Sequence, residues 1–207
     1  METKDDLLNK LRSYSKDPDD DVIRLKKEIE HILLSSPELL YALNEKKLEN
    51  ELFTKDGKIN WDEDTKEPLG EWDRYFGSNG NIRPFLFIPD TQTETKHFIC
   101  YQINTTENER YNSTEKYLVI TFTIFIHGGD RIDTLTGIPR HDLIASIIRE
   151  KIAWSGINDA IVTVPIGNKE STTDTNYLVR ELKYQITMPN DLVMTHDGYT
   201  SYINKRR

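Results

Sequence analysis

Several residue types are scarce in this sequence, and each shortage excludes a class of protein. The 207 residues include a single cysteine, Cys100, which excludes an intramolecular disulfide and a cysteine-rich zinc site and predicts folding in a reducing compartment. No segment approaches the ~20 consecutive apolar residues of a membrane span, and the acidic N-terminus lacks the apolar stretch of a signal peptide. We therefore expect a soluble protein, made in the cytoplasm, that makes no contact with a membrane.

Positive charge is scarce as well. The chain has 27 Lys and Arg against 35 Asp and Glu, a net charge of -8, and most of the acidic excess lies within residues 1–70. Because a broad electrostatic surface for nucleic acid needs clustered Lys and Arg, we do not expect such a surface on this chain. Hydrophobic residues make up 36% of the chain and aromatic residues 10%, so a folded core is expected.

The motifs of common cofactor and metal sites are absent. The five histidines never occur as His-x-His or His-x-x-x-His, and the sequence has neither Gly-x-Gly-x-x-Gly nor a Walker-type Gly-Lys-Ser/Thr. We therefore predict no metal ion and no other cofactor. His127–Asp130, with the sequence HGGD, is similar to the oxyanion loop of lipases, but no Gly-x-Ser-x-Gly elbow accompanies it. We interpret this segment as a turn that ends a strand, with its glycines at positive φ.

One catalytic alternative rests on three residues. Asp90, Glu94 and Lys96 have the letters of the PD-(D/E)xK nuclease signature, in which two acids hold a divalent cation and a lysine polarises the attacking water. Only three residues separate the two acids, which places them around an exposed hairpin tip. We favour a polar hairpin loop and keep a metal-dependent nuclease as the alternative.

Other charged residues lie near the start of a predicted helix and are interpreted as surface. His141 and Asp142 have no second metal ligand on their helix face, which favours a solvated position. Asp130, Asp133 and Asp142 are typical of a capped, hydrated loop.

The first fifty residues have the 3.6-residue period of amphipathic helices. We predict one helix over Asp5–Lys16, a second that starts after Pro18, and a third with Ser36 as its N-cap and Pro37 at its first position. The apolar residues expected to face inward are Leu7, Leu8, Leu11, Tyr14, Val22, Leu25, Ile29, Ile32, Leu33, Leu39, Leu40 and Leu43. This N-terminal helical unit, residues 1–50, is followed by a connecting arm over residues 51–81.

From Ile82 the apolar period becomes two, as in β-strands. We predict a hairpin of Ile82–Ile88 with Lys96–Asn104, a central strand over Tyr117–His127, and a last pair of strands at residues 160–166 and 178–188. A helix that begins at Pro139 is expected before this last pair. It should bury one set of residues, Leu143, Ile144, Ile147, Ile148 and Ile152, and expose another, Arg140, Arg149 and Glu150.

The predicted fold is α+β, with a mainly antiparallel β-sheet covered by one long helix and preceded by the small N-terminal helical unit. Residues 82–189 form the sheet-and-helix core, and residues 190–207 form a C-terminal arm. Segments with few apolar residues tend to order against neighbouring molecules, so we expect long polar arms at Tyr75–Asn81, Thr105–Lys116, Gly167–Asn176 and Asn190–Arg207.

The region from Ile82 to Met188 resembles the neck, or head-to-tail connection, proteins of tailed bacteriophages, including tail-terminator and tail-completion proteins. The resemblance rests on the run KYLVITFTIFIHGGDRIDTLTGIPRHDLIASIIREKIAW followed by STTDTNYLVRELKYQITMP, that is, a long hydrophobic strand, a single helix and a final strand. It covers roughly half of the chain. It implies a non-enzymatic structural protein of the virion that forms a homo-oligomeric ring, a hexamer or dodecamer, between the portal and the tail.

The resemblance also implies partners and a location. The partners would be other copies of the chain, portal or adaptor proteins, tail-tube proteins, and viral DNA that passes through the lumen without sequence-specific binding. The protein would reside in the neck or tail of the virion, and in the host cytoplasm during assembly. The candidate contact residues are Arg110, Tyr111, Arg131, Asp133, Lys205, Arg206 and Arg207. A further alternative is a small acidic adaptor whose helices, especially Asp17–Ser36, bind a basic partner.

Overall fold

The predicted α+β fold is confirmed by a computed structural model that describes residues 3–16, 21–65, 67–89, 95–105, 115–153, 163–173, 175–189, 192–195 and 198–201. The helices are α1 (Lys4–Lys16), α2 (Asp21–Leu34), α3 (Pro37–Ala42), α4 (Glu49–Leu52) and α5 (Arg140–Ile152), with a 3-10 turn at Trp72–Tyr75. The strands are β1 (Ile82–Arg83), β2 (Phe98–Thr105), β3 (Glu115–His127), β4 (Thr163–Thr172), β5 (Tyr177–Pro189), β6 (Leu192–Thr195) and β7 (Gly198–Ser201). None of the helices in the described ranges combines the length and apolar content that a membrane span requires.

The main sheet has five strands in the order β1-β2-β3-β5-β4, and all of its pairs are antiparallel except β1 with β2. The predicted central strand is confirmed, since β3 lies in the middle and pairs along its whole length with β5. Its even-numbered residues from Leu118 to Ile126 are buried on one face. A strand that is paired on both sides and apolar on one face holds the helices in place, because the helices must bury their own apolar stripes against it.

Helices α2, α3, α4 and α5 share one hydrophobic core with that face of the sheet. The buried helix residues are Leu25, Ile29 and Leu33 of α2, Leu39 and Leu40 of α3, and Ile144, Ile148 and Ile152 of α5. The second and third predicted helices are therefore confirmed together with their inward residues. The first predicted helix is present as α1, but its predicted inward face is wrong, because Leu7 and Leu11 are 53% and 56% exposed. Ser36 lies at the predicted cap position of α3, but its hydroxyl donates to the Ile32 carbonyl (2.8 Å) and does not cap the helix.

The opposite face of the sheet carries a smaller cluster at one end, made of Phe98, Cys100, Phe125, Tyr177 and Val179. Phe87, from the segment after β1, covers it with an edge-to-face contact to Phe98 (5.3 Å between ring centroids). The Arg83 guanidinium lies 3.8 Å from the Phe87 ring centroid, a cation–π arrangement.

The predicted hairpin of Ile82–Ile88 with Lys96–Asn104 is wrong. β1 has only two residues and runs parallel to β2, with Ile82 opposite Ile99. The physical reason is Pro84, which has no N–H to donate to a ladder and ends the strand. The apolar residues that follow Pro84 have the composition of a strand, which explains the wrong prediction.

Two of the predicted arms are ordered parts of the fold. In Tyr75–Asn81, Tyr75 is buried and the Asn81 amide donates to the His97 carbonyl (2.9 Å), so this segment anchors the start of the sheet. In Gly167–Asn176, residues up to Thr172 extend β4, because β5 supplies a backbone ladder that does not depend on apolar side chains. The C-terminal arm contains a two-stranded hairpin of β6 and β7. Residues 106–114, from the remaining predicted arm, lie outside the described part of the chain.

Candidate functional site

The loop between β3 and α5 is organised by a buried arginine. Arg140, the first residue of α5, is only 3% exposed. Its guanidinium contacts Asp130 Oδ1 (3.0 Å) and Asp133 Oδ1 (3.3 Å) and donates to the carbonyl of Ala42 at the end of α3 (2.9 Å). The expectation that Arg140 faces solvent is therefore wrong. A buried guanidinium needs compensating charge, and two loop carboxylates supply it.

A histidine from the sheet joins this network. The His97 ring accepts a hydrogen bond at Nδ1 from the His127 backbone N–H (3.1 Å), so its proton is on Nε2, which donates to Asp130 Oδ2 (3.0 Å). Burial lowers the pKa of His97, which outweighs the opposite effect of Asp130. Because both ring nitrogens are engaged, His97 has no free lone pair with which to act as a general base.

Asp130 connects three parts of the molecule: the N-terminal helical unit, the segment just before β2 and the start of α5. It accepts hydrogen bonds from the Asn44 amide of the N-terminal helical unit (2.7 Å), from His97 and from Arg140. Burial alone would raise the pKa of Asp130, but these three hydrogen bonds and the Arg140 charge together hold it below its ordinary value. We call the side chains of Asn44, His97, Asp130, Asp133 and Arg140 the Arg140 network.

The HGGD turn has no free N–H group with which to form an oxyanion hole. The N–H of Gly128 donates to the Asn176 carbonyl (2.8 Å), that of Gly129 to His127 Nδ1 (3.1 Å), and that of Asp130 to the His127 carbonyl (3.0 Å). The predicted positive φ is wrong for both glycines. Gly128 instead leaves room for Asn176, since a Cβ there would lie 2.3 Å from Asn176 Oδ1 and would force that side-chain amide to move.

Beyond this turn the loop presents apolar side chains to solvent. Ile132 is 50% exposed, Leu135 80% and Ile138 43%. The loop closes on itself like a small hairpin, with a bridge between Ile132 and Pro139 and a hydrogen bond from the Asp133 N–H to the Ile138 carbonyl (2.9 Å). It buries its acid and exposes its apolar residues, the reverse of the usual arrangement.

Comparison with known proteins places this region in a family. The YomW family model matches residues 36–186, from α3 through most of β5. The chain belongs to the YomW family. The name is of the type given to genes of the Bacillus phage SPBc2, which associates the family with phages. No curated protein matches the chain.

The YomW match includes a second cluster of charged side chains, between α5 and the β4–β5 pair. His141 Nε2 lies 3.2 Å from Glu170 Oε1, and Arg180 bridges Glu170 (3.3 Å) and Asp142 (3.4 Å). His141 is buried, so the expectation of a solvated position is wrong for it. The carboxylate that covers the His141 ring belongs to Glu170 on the exposed strand β4. The two residues are far apart in the sequence, so the pattern of the helix alone does not indicate this contact.

Two of the seven predicted contact residues lie in the described part of this YomW-family structure, one exposed and one buried. Arg131 is exposed and donates to Asn176 Oδ1 (3.3 Å), whereas Asp133 is buried against Arg140 and Thr136. The other five, Arg110, Tyr111, Lys205, Arg206 and Arg207, lie outside the described residues. Their contacts with other subunits remain predictions.

The residues of the nuclease alternative are described only in part. Asp90 and Glu94 lie outside the described residues. The Lys96 ammonium donates to the Asn79 carbonyl (2.9 Å) and lies 3.9 Å from Glu45 Oε2. Among the described side chains, no three His, Cys, Asp or Glu are grouped so that they could hold a metal ion.

Proposed function

We propose that this phage-associated protein is a structural component of a tailed-phage virion at the head–tail interface, as a neck connector or tail terminator, and that it forms a homo-oligomeric ring between the portal and the tail. Its partners are other copies of itself and the portal or tail proteins above and below, and viral DNA passes through the ring without specific binding. The observation that carries the proposal is the open edge of the sheet at β4.

β4 supplies an edge for strand addition. Within the described residues it pairs only with β5, and every residue after Thr163 is exposed. The register shift at Pro165–Gly167 interrupts its first half, as proline and bulges do at sheet edges. The second half, Asn168–Thr172, has no proline, so its outward N–H and C=O groups are available to a strand of another subunit.

The charge of the chain is compatible with passage of DNA. Each copy carries a net charge of -8, and a ring multiplies that charge. An acidic lumen repels the phosphate backbone, so DNA slides without sticking.

The decisive experiment is the mass distribution of the full-length protein over a range of concentrations, by mass photometry with negative-stain images. Closed rings of six or twelve copies are expected. A protein that stays monomeric and cleaves DNA with Mg²⁺, with cleavage lost in Asp90→Ala, overturns the proposal in favour of the nuclease. A monomer that binds one basic protein with salt-sensitive affinity favours the adaptor instead.

A paired proline substitution tests the role of the β4 edge. Successive N–H groups of a strand point to opposite edges, so one of Asn168→Pro and Lys169→Pro breaks the β4–β5 ladder and the other affects only the outer edge. The outer-edge variant is expected to keep the wild-type melting temperature and to lose rings. Rings that persist in that variant contradict assembly through β4.

A further inference from the structure

We infer that the loop Ile132–Pro139, here called the contact loop, is a preformed element that docks on the apolar stretch of β4 around Val164 and Ile166 in a neighbouring copy of the chain. This inference rests on the proposed ring and names a second contact between its subunits, beside strand addition at Asn168–Thr172. It places an exposed, apolar loop of one subunit against an exposed strand of the next.

The polarity of the contact loop indicates a surface built for a partner. Its three large apolar side chains, Ile132, Leu135 and Ile138, all point to solvent, with Leu135 at 80% exposure. Its one charged side chain, Asp133, is turned inward to Arg140. Scattered exposed apolar residues are ordinary, but here they share one short loop whose polar anchor is buried beneath them. Covering these side chains with another surface would remove apolar area from water and so favour association.

The contact loop is also rigid without a partner. Asp133 Oδ2 accepts from the Thr136 N–H (2.9 Å) and hydroxyl (2.8 Å), and the Gly137 N–H donates to the Asp133 carbonyl (2.8 Å). The Arg140 N–H closes the loop by donating to the Arg131 carbonyl (2.8 Å). Because the loop conformation is already fixed, docking costs little conformational entropy.

The charge of the two surfaces permits a second copy, the partner that the proposed ring supplies. Copies that each carry -8 repel one another, so they associate best where neither surface carries unpaired charge. The exposed face of the contact loop is uncharged, and so are residues 163–168 of β4. Lys183, which lies against Gly167, is paired with Glu181 (3.0 Å). A basic partner would be drawn instead to the acidic first 70 residues.

The positions of the two surfaces fit a head-to-tail contact. The contact loop follows His127, at the end of β3, whereas Pro165 is aligned through Tyr184 with Ile120 in the first half of β3. The two surfaces differ, and each copy carries both. Such heterologous contacts generate a ring when the rotation between subunits closes.

The test compares subunit association in three variants of the full-length protein. Leu135→Ser and Ile166→Ser are each expected to weaken association about 10- to 100-fold, the effect of burying one large apolar side chain. Leu69→Ser, which changes a residue that is 65% exposed and outside both surfaces, is the matched control and is expected to associate like the wild type. Unchanged melting temperatures show that the variants fold.

The outcomes separate this inference from the proposed function. If the wild type forms rings and Leu135→Ser forms them equally well, the contact loop is not the interface, but the ring remains. If the wild type forms no oligomer at any concentration, both ideas fail. Where the wild type does form oligomers, cross-linking with a short bis-maleimide locates the contact directly. It should join Leu135→Cys to Ile166→Cys in a mixture of the two proteins, with Cys100 buried, and should not join Leu69→Cys to Ile166→Cys. Equal linkage of the Leu69 pair contradicts the proposed placement.

Discussion

The α2–α3 region buries apolar side chains, whereas the β3–α5 loop buries charged side chains and exposes apolar ones. In α2 and α3, Leu25, Ile29 and Leu39 are fully buried, and the charged side chains from Arg24 to Glu38 lie at the surface or are only partly covered. In the β3–α5 region, Arg140 and Asp133 are buried while Leu135 is exposed. The first region is stabilised by removal of apolar surface from water, which depends on composition. The second is stabilised by paired charges, which depends on exact partners.

This contrast shows why the two regions have different uses. An apolar stripe packs on any apolar face and fixes α2 and α3 on the sheet. The Arg140 network instead ties together three segments, at Ala42–Asn44, at His97 and at Asp130–Asp133. Because buried ion pairs hold the β3–α5 loop in place, its apolar side chains are not needed for the core and can face solvent. A docking element needs this arrangement.

The largest expected effect comes from removal of the central charge. Arg140→Met keeps the length of the side chain but leaves Asp130 and Asp133 without their cation, so we expect a loss of about 3–5 kcal/mol in the free energy of unfolding. Urea-induced unfolding measures this loss. Leu33→Ala in α2, a fully buried residue, is expected to lose about 2–5 kcal/mol, so the charged region and the apolar region should be comparably sensitive.

Lys151→Met, at the other end of the same helix, is the control for Arg140→Met. Lys151 is paired with Glu38 of α3, and both side chains are partly exposed to solvent (33% and 44%). Exposed pairs contribute about 0–1 kcal/mol. If Arg140→Met costs no more than Lys151→Met, the buried network does not stabilise the loop and the contrast between the two regions fails.

The second prediction concerns the close approach at the start of the loop. Gly128→Ala forces the Asn176 side chain to move, so we expect a loss of about 1–3 kcal/mol, as in other overpacked sites. Asn176 has a φ of 65°, which glycine adopts freely. The double variant Gly128→Ala, Asn176→Gly should therefore recover most of the loss. No recovery in the double variant contradicts the steric explanation.

The sheet, the central strand and the inward faces of α2, α3 and α5 were predictable because each depends on a local period in the sequence. In β3 every second residue from Leu118 to Ile126 is apolar and buried, and Ile144, Ile148 and Ile152 recur on one helical face. Local period also explains the errors. The residues after Pro84 have the composition of a strand, so a strand was predicted there. Arg140 was predicted on the solvent face because arginine is usually exposed.

The Arg140 network was not predictable from local patterns. Asp130 and Asp133 lie within ten residues of Arg140 in the sequence, but that segment has the composition of a hydrated loop, which indicates neither the burial nor the pairing. The other members, His97 and Asn44, come from segments that the sequence separates widely, and no local pattern joins them. The same holds for Glu170, which reaches His141 from the sheet edge.

The smallest effect is a dependence of stability on pH. The pKa of His97 in the folded protein lies below the ordinary histidine value of about 6.5, mainly because the ring is buried. Between these two values the unfolded chain binds more protons than the folded one, so stability falls as the pH is lowered through this window. The carboxyls of Asp130 and Asp133, whose pKa values are also lowered, add a further loss at more acidic pH, below about 4.

His97→Gln isolates the first of these contributions. The glutamine amide can still donate to Asp130 but does not titrate, so melting temperatures measured from pH 7 downward should lose the slope just below pH 6.5 and keep the later fall due to the two carboxyls. His31→Gln, on the exposed surface of α2, is the control and should keep the wild-type slope. A variant at His97 with the full slope would assign the pH dependence to another group. If His97→Gln removes the pH dependence of the melting temperature just below pH 6.5, the Arg140 network is the part of the fold that responds to acid in this range, and the apolar packing of α2 and α3 is not.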